Sequence, residues 1–183
     1  MSGVENPVLH FMIEADVELR TLTLSDAAAL EALRDGYTSY RDEWLYDGTA
    51  HDFIESALSG RAHSGSLTIG IFDVGSLAGV IICAVDAAQK SVSFDYMLGN
   101  QYRGRGLIAQ GIKRVLKHFF ADRGFLDAVI STDPENAKSV AVAERLGFKA
   151  DETIRGGINY GSDRGDLTKY KLTASAWSAA GLH

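Results

Sequence analysis

The chain has 183 residues, 46% of them hydrophobic and 23% charged, and a formal net charge of −6. That length fits one domain with its own core, and that balance excludes a disordered chain. Acidic overall and without an apolar run long enough for a spanning helix, it is expected to bind neither nucleic acid nor membrane.

Val17-Glu18-Leu19-Arg20-Thr21-Leu22 alternates apolar and polar residues, the period of a half-buried strand, whereas the residues before it carry no clear pattern. Ser25 or Asp26 then caps a helix running to about Arg34, with Leu30 and Leu33 on one face. Tyr37–Ala50 is aromatic and irregular, and a second short helix fits Asp52–Arg61. Three strands follow, Ser66–Phe72, Leu77–Val85 and Ser91–Leu98, at the close spacing of an antiparallel meander. In the third of them Val92, Phe94, Tyr96 and Leu98 share one face, and Ser91, Ser93, Asp95 and Met97 the other.

A stripe of Ile108, Ile112, Val115, Leu116 and Phe119 predicts a long amphipathic helix that Gly124 ends. Leu126–Thr132 reads as a short buried strand. Asp133-Pro134 predicts the next helix start, with Asp as cap and Pro as first residue, and Gly147 stops that helix after Leu146. Phe148–Arg155 and Asp166–Leu172 predict two last strands joined by the glycine-rich loop Gly156–Gly165. The order gives an α+β (mixed α/β) fold around one sheet, with residues 1–183 expected to form a single domain.

The single cysteine, Cys83, cannot form an internal disulfide and lies in the apolar run Val80–Val85, where a buried thiol is expected. Met1–Asp16 lacks the basic-then-apolar pattern of a secretion signal, so the expected location is cytoplasmic. His51, His63 and His118 show no metal-ligand spacing, and no metal is expected.

Chemistry concentrates in Gln101-Tyr102-Arg103-Gly104-Arg105-Gly106, between a strand and the long helix. Two glycines two apart let backbone approach a bulky anion, and the first N–H groups of the following helix are unpaired donors. Arg103 and Arg105 add positive charge. A P-loop is excluded because no Gly-Lys-Ser/Thr follows, and a dinucleotide fingerprint fits poorly on a strand that ends a meander.

Gln101-x-x-Gly104-x-Gly106 resembles the Q/R-x-x-G-x-G/A acyl-CoA signature of the GNAT N-acetyltransferase superfamily. Asn136-x-x-Ser139, closing on Gly147-Phe148, is similar to that superfamily's second hallmark, and the stretch Ser-Val-Ala-Val-Ala-Glu-Arg-Leu-Gly-Phe together with Asp95-Tyr96-Met97-Leu98 looks like the RimJ/RimL-type branch. The resemblance covers about Val17 to Leu172. It implies a mostly antiparallel sheet with a splayed pair of parallel strands, flanked by helices, and acetyl-CoA as cosubstrate. It further implies a pyrophosphate held at Gln101, Arg103, Gly104, Arg105, Gly106 and Leu107, and pantetheine between the strand ending at Leu98 and Leu126–Thr132. Asn136 and Ser139 would reach the pantetheine or the thioester. A backbone N–H in a bulge near Met97–Leu98 would hold the oxyanion.

Two departures from the family pattern bear on catalysis. Ser93 stands where many relatives carry a glutamate, which leaves Asp95, two residues on and on the same face, as the expected base. Ala143 stands where other members place a tyrosine acid. Tyr40, Trp44, Tyr46 and Tyr160 are expected to line the acceptor pocket. The resemblance implies an N-acetyltransferase acting on a protein or peptide N-terminus, ribosomal proteins included. Its alternatives are a small amine acceptor (polyamine, aminoglycoside or amino acid) or a non-catalytic acyl-CoA-binding module. Pairing into a homodimer is left open.

Overall fold

The computed structural model describes residues 8–37, 48–59 and 66–181. Strands β1 (His10–Glu14), β2 (Val17–Thr21), β3 (Ser66–Asp73), β4 (Ser76–Asp86), β5 (Ser91–Leu98), β6 (Asp127–Thr132), β7 (Lys149–Tyr160) and β8 (Asp163–Thr173) form one eight-stranded sheet in the order β1-β2-β3-β4-β5-β6-β8-β7. All neighbours are antiparallel except β5 and β6. A parallel pair needs a crossover, and α3 (Leu107–Lys117) supplies it. The other α-helices among the described residues are α1 (Ala27–Asp35), α2 (Ala50–Leu58), α4 (Ala137–Arg145) and α5 (Ala174–Ala179).

Two apolar cores cover the two faces of the sheet. On one face Ile112, Val115 and Leu116 of α3 pack with Leu19, Ile71, Ile81 and Phe94. Helix α3 lies close to the sheet because Gly111 has no side chain; a Cβ there would sit 2.8 Å from Ile81. On the other face Leu30 and Leu33 of α1 and Ile54 of α2 meet Val80 and Met97. At the seam between β2 and α1, Arg20 donates two hydrogen bonds to Asp26, at 2.8 and 2.7 Å, and lies 3.8 Å over the Phe72 ring. Asp26 also accepts from the Thr23 backbone N–H at 2.8 Å, and the Arg20 guanidinium beside it holds its pKa at about 2.

The element boundaries correct several expectations. Strand β1 forms in a region that showed no clear pattern, because Phe11 and Ile13 pack on the core along the edge of β2. Asp26, one of the two expected caps, takes the N-cap position of α1, with Thr23 opening the short 3-10 turn Leu24–Asp26 before it. Thr49 caps α2 three residues ahead of the expected start by accepting from Asp52 N–H at 3.1 Å. Helix α4 does not begin at Asp133-Pro134. Asp133 is buried in the preceding loop, and Asn136 is the N-cap, accepting from Ser139 N–H at 3.3 Å. Gly156–Gly165 is not a loop: β7 and β8 run through it as a hairpin that turns at residues 161–162, and Gly156 and Gly157 lie at a register shift between Ile154 and Ile158. Helix α5, which the sequence reading lacks, seats Trp177 on Phe120 at 6.1 Å.

Candidate active site

Strands β5 and β6 pair only from Ser91↔Asp127 to Phe94↔Ile130. Beyond that point β5 stays bonded to β4 in unbroken register down to Leu98↔Gly79. The bulge expected at Met97–Leu98 is therefore absent; backbone is exposed here because β6 turns away toward β8. Gly99 N–H donates to Ala78 C=O at 2.8 Å. Antiparallel alternation then turns the backbone groups of Met97 toward β4 and those of Tyr96 and Leu98 into the opening. Met97 also buries its side chain in the α1/α2 core, at 2% exposure. Leu98 thus keeps a backbone N–H directed at the gap, and Met97 does not.

Side chains along β5 alternate across the gap. Asp95 lies on the α1/α2 face. The residue is exposed, yet surrounding protein strips enough water from its carboxylate to push the pKa up. Ser93 shares that face but sits inside the paired region, opposite Ala84 and Val129. Tyr96 lies on the opposite face, where its hydroxyl is 2.7 Å from Ser139 Oγ in the first turn of α4. Burial raises the Tyr96 pKa to about 12, so the hydroxyl keeps its proton throughout the physiological range. The family resemblance implies Ser139 at the pantetheine or the thioester and gives it no side-chain partner. The alternation of β5 assigns Tyr96 to the α4 side, but no sequence pattern pairs it with Ser139.

The turn after β5 carries the second half of the site. Gln101 is exposed in a short 3-10 segment, Asn100–Tyr102. Gly104 and Gly106 adopt the left-handed region at φ +82° and +75°, which disfavours any residue with a Cβ. Gly106 is the N-cap of α3, and no side chain caps that helix start, so the N–H groups of its first turn face outward. Leu107 starts the helix with its side chain fully buried. Arg103 lies 5.6 Å over the Tyr37 ring. Arg105 turns back to the sheet, where it donates to Asp73 at 2.5 and 3.0 Å and lies 3.9 Å from Glu14. It pins the turn to the β3–β4 hairpin and holds Asp73 below the usual carboxylate range.

Asn136, as the cap of α4, spends its side-chain oxygen on Ser139 N–H. Tyr160, at the tip of the β7–β8 hairpin, donates to Asp133 at 3.0 Å, and Asp133 in turn accepts from Glu135 N–H at 2.8 Å. The hairpin is thereby tied to the loop that carries Asn136. Tyr40, Trp44 and Tyr46 lie outside the described residues. Cys83 is fully buried and its pKa is raised by desolvation, so it offers no thiolate. On α2, the exposed His51, Asp52 and Glu55 bring possible ligand atoms within 4.8 Å of one another, though Asp52 also accepts from the Thr49 hydroxyl at 2.7 Å in the helix cap.

A gap beside the one parallel strand pair, opening next to a two-glycine helix start, suits an extended thioester with a phosphate-bearing tail. The class of protein is an acetyl-transferring enzyme that uses acetyl-CoA. The chain belongs to the family described as the acetyltransferase (GNAT) domain, which matches residues 16–149.

The chain is 23% identical over 174 residues to YdaF of Bacillus subtilis (strain 168), named as a ribosomal N-acetyltransferase, covering 90% of this chain and 95% of that protein. Among solved structures, the ribosomal L7/L12 alpha-N-protein acetyltransferase RimL in complex with coenzyme A superposes with a TM-score of 0.83 at 20% identity. That match covers 92% of this chain and 99% of the other. A spermidine N-acetyltransferase chimera, SpeG from Vibrio cholerae with hSSAT, gives 0.78 at 17% identity and covers 90% and 99%. These likenesses establish the fold.

Proposed function

We propose that this chain transfers the acetyl group of acetyl-CoA to the N-terminal α-amino group of a protein or peptide, by direct attack within a ternary complex. The observation that carries the reading is the division of labour across the β5–β6 gap: Asp95 on the α1/α2 face, Tyr96 and Ser139 on the α4 face. The acceptor preference is supported by the name of the Bacillus subtilis relative.

Acetyl-CoA fits the residues present. The uncapped start of α3 with its two left-handed glycines suits the pyrophosphate, and the backbone of Tyr96 and Leu98 offers a strand-like edge to pantetheine. Bound there, it supplies an activated acetyl thioester. Asp95 takes the proton of the incoming ammonium, a task favoured by a raised pKa. Leu98 N–H faces the developing oxyanion. The Ser139 hydroxyl donates toward the leaving sulfur while the Tyr96 hydroxyl donates to Ser139 Oγ and fixes its rotamer. This pair takes over from the tyrosine that Ala143 lacks; Ala143 is fully buried and offers no group to the gap. Tyr160 and the β7–β8 hairpin wall the acceptor side.

The test is thiol release from acetyl-CoA measured side by side with peptides bearing free N-termini, polyamines, aminoglycosides and amino acids. Turnover with peptides and loss of it on N-terminal blocking is the expected result. Preference for a polyamine or aminoglycoside would move the protein to small-amine acetylation. Coenzyme A binding with no turnover on any amine would leave an acyl-CoA-binding module.

A further inference from the structure

Three guanidinium groups surround the glycine turn, and two of them have partners. Arg105 is held by Asp73 and Glu14, and Arg103 lies over Tyr37. The third, Arg145, comes from the far end of α4. Its Nη1 lies 3.5 Å from where a Cβ on Gly106 would be. No carboxylate pairs with it among the described residues, in a chain holding 24 Asp and Glu.

Its aim is built in by the helix end. Leu146 is the C-cap, Gly147 is left-handed at φ +88°, and Gly147 and Phe148 donate to Glu144 C=O and Ala143 C=O at 3.0 Å each. That closure, with Phe148 buried at 1% exposure, fixes where the last turn of α4 points. A cation in a last turn suits the dipole of α4 itself. The dipole of α4 does not account for the direction, because the start of α3 carries partial positive charge. A cation set over that helix start is unfavourable until an anion lies between them.

We propose that Arg145 is a specificity residue for the acyl donor, binding the diphosphate of coenzyme A jointly with the first turn of α3. The proposal rests on the donor site described above. Helix α4 then touches the donor at both ends, with Ser139 at the thioester and Arg145 at the diphosphate. Arg145 thereby selects coenzyme A over donors that carry only the pantetheine arm.

The experiment is calorimetric titration of the full chain with coenzyme A, dephospho-coenzyme A and pantetheine, comparing wild type, Arg145→Ala, Arg145→Lys and Gly106→Val. Arg145→Ala is expected to weaken coenzyme A and dephospho-coenzyme A alike, by roughly tenfold, the scale of one charge-assisted contact at a solvent-open site. Pantetheine affinity stays unchanged. Arg145→Lys recovers part of the loss, since it keeps the charge without the planar fork. Unchanged coenzyme A affinity in Arg145→Ala overturns the proposal. So does an equal loss with pantetheine, or a loss seen only with the ligand that bears the 3′-phosphate. If wild type itself fails to prefer coenzyme A over pantetheine, or Gly106→Val keeps that preference, the donor site as a whole is misplaced. With the site intact and only Arg145→Ala silent, the fault lies with Arg145 alone.

Discussion

Replacing Asp95 with Asn tests the proton route and separates catalysis from stability in one variant. The carboxylate is raised in pKa by desolvation, its one resolved cause, and it is open enough to exchange protons with water. That places its contribution at the lower end of general-base effects, a loss in kcat/KM of about 10²-fold, or about 2.7 kcal/mol of barrier. Coenzyme A affinity should not change, because the glycine turn is untouched. Stability should move the other way. A carboxyl whose pKa is raised in the folded state favours the protonated form there. Its ionisation therefore costs stability as pH rises from the unfolded value, 3.8, through the higher folded one. Asp95→Asn removes that cost, so at pH 7 its Tm should equal or exceed that of wild type, with the gain vanishing below pH 3.8. The assay is thiol release across pH beside thermal melts. The activity defect should be largest at neutral pH, where an alkyl amine is mostly ammonium, and shrink toward the pKa of the acceptor. A flat mutant-to-wild-type ratio with near-normal activity would remove Asp95 from the mechanism, and a lowered Tm at pH 7 would refute the desolvation argument.

Coenzyme A should raise the melting temperature of wild type, since a ligand confined to the native state adds about 2.7 kcal/mol at a hundredfold excess over Kd. Gly106→Val should abolish most of that shift, because a β-branched residue at φ +75° reshapes the turn at a strain cost of roughly 1–3 kcal/mol; a full shift would misplace the pyrophosphate. Tyr96→Phe should lower kcat several-fold with little change in KM for acetyl-CoA, the scale of one hydrogen bond. Ser139→Ala combined with it should cost no more than Ser139→Ala alone, so additive losses would mean that the two hydroxyls act separately. Asp26→Asn should cost about 2 kcal/mol at pH 7, because the Asp26 pKa is held at about 2 beside Arg20. A lowered carboxylate pKa stabilises above the unfolded value, and the benefit fades as pH falls from 3.8 through about 2. Melts of the two proteins should therefore converge in acid.

What the sequence made legible is what local periodicity and local punctuation encode. The β3–β4–β5 meander, the apolar stripe of α3, and glycines at 104, 106 and 147 all appear where expected. The elements it hid depend on tertiary partners. Strand β1 shows no alternation because an edge strand needs only Phe11 and Ile13 to touch the core, the former under the Arg114 guanidinium at 3.9 Å. The glycines at 156, 157 and 165 read as loop, yet Gly156 N–H donates to Asp166 and Gly165 makes room for Tyr160, whose ring would lie 2.6 Å from a Cβ there. Glycine marked a bulge and a close approach within the hairpin. The site follows the same division. The two-glycine turn before α3 is a local motif and is legible, whereas Tyr96 on Ser139 spans 43 residues and Arg145 over Gly106 joins two helices.

The candidate site lies where sheet pairing fails, and the cause of the failure is traceable. In this sheet strand β6 must serve two neighbours of opposite direction, β5 in parallel and β8 antiparallel. It stays with β8 along its whole length, through Thr132↔Thr168, and leaves β5 after Ile130. Antiparallel pairing is the more stable per residue, so the parallel partner is the one that loses contact. Strand β5 keeps its full ladder with β4, which leaves a rigid strand with one side unbonded and functional side chains alternating to both faces. Unpaired backbone in such a place is costly unless water or a ligand bonds it. In the proposed reaction a pantetheine arm with its own amides meets that need, with Asp95 on one face of the gap and the Tyr96–Ser139 pair on the other. The binding edge and the two-sided placement of side chains on which the proposed function rests thus both follow from a single loss of strand pairing.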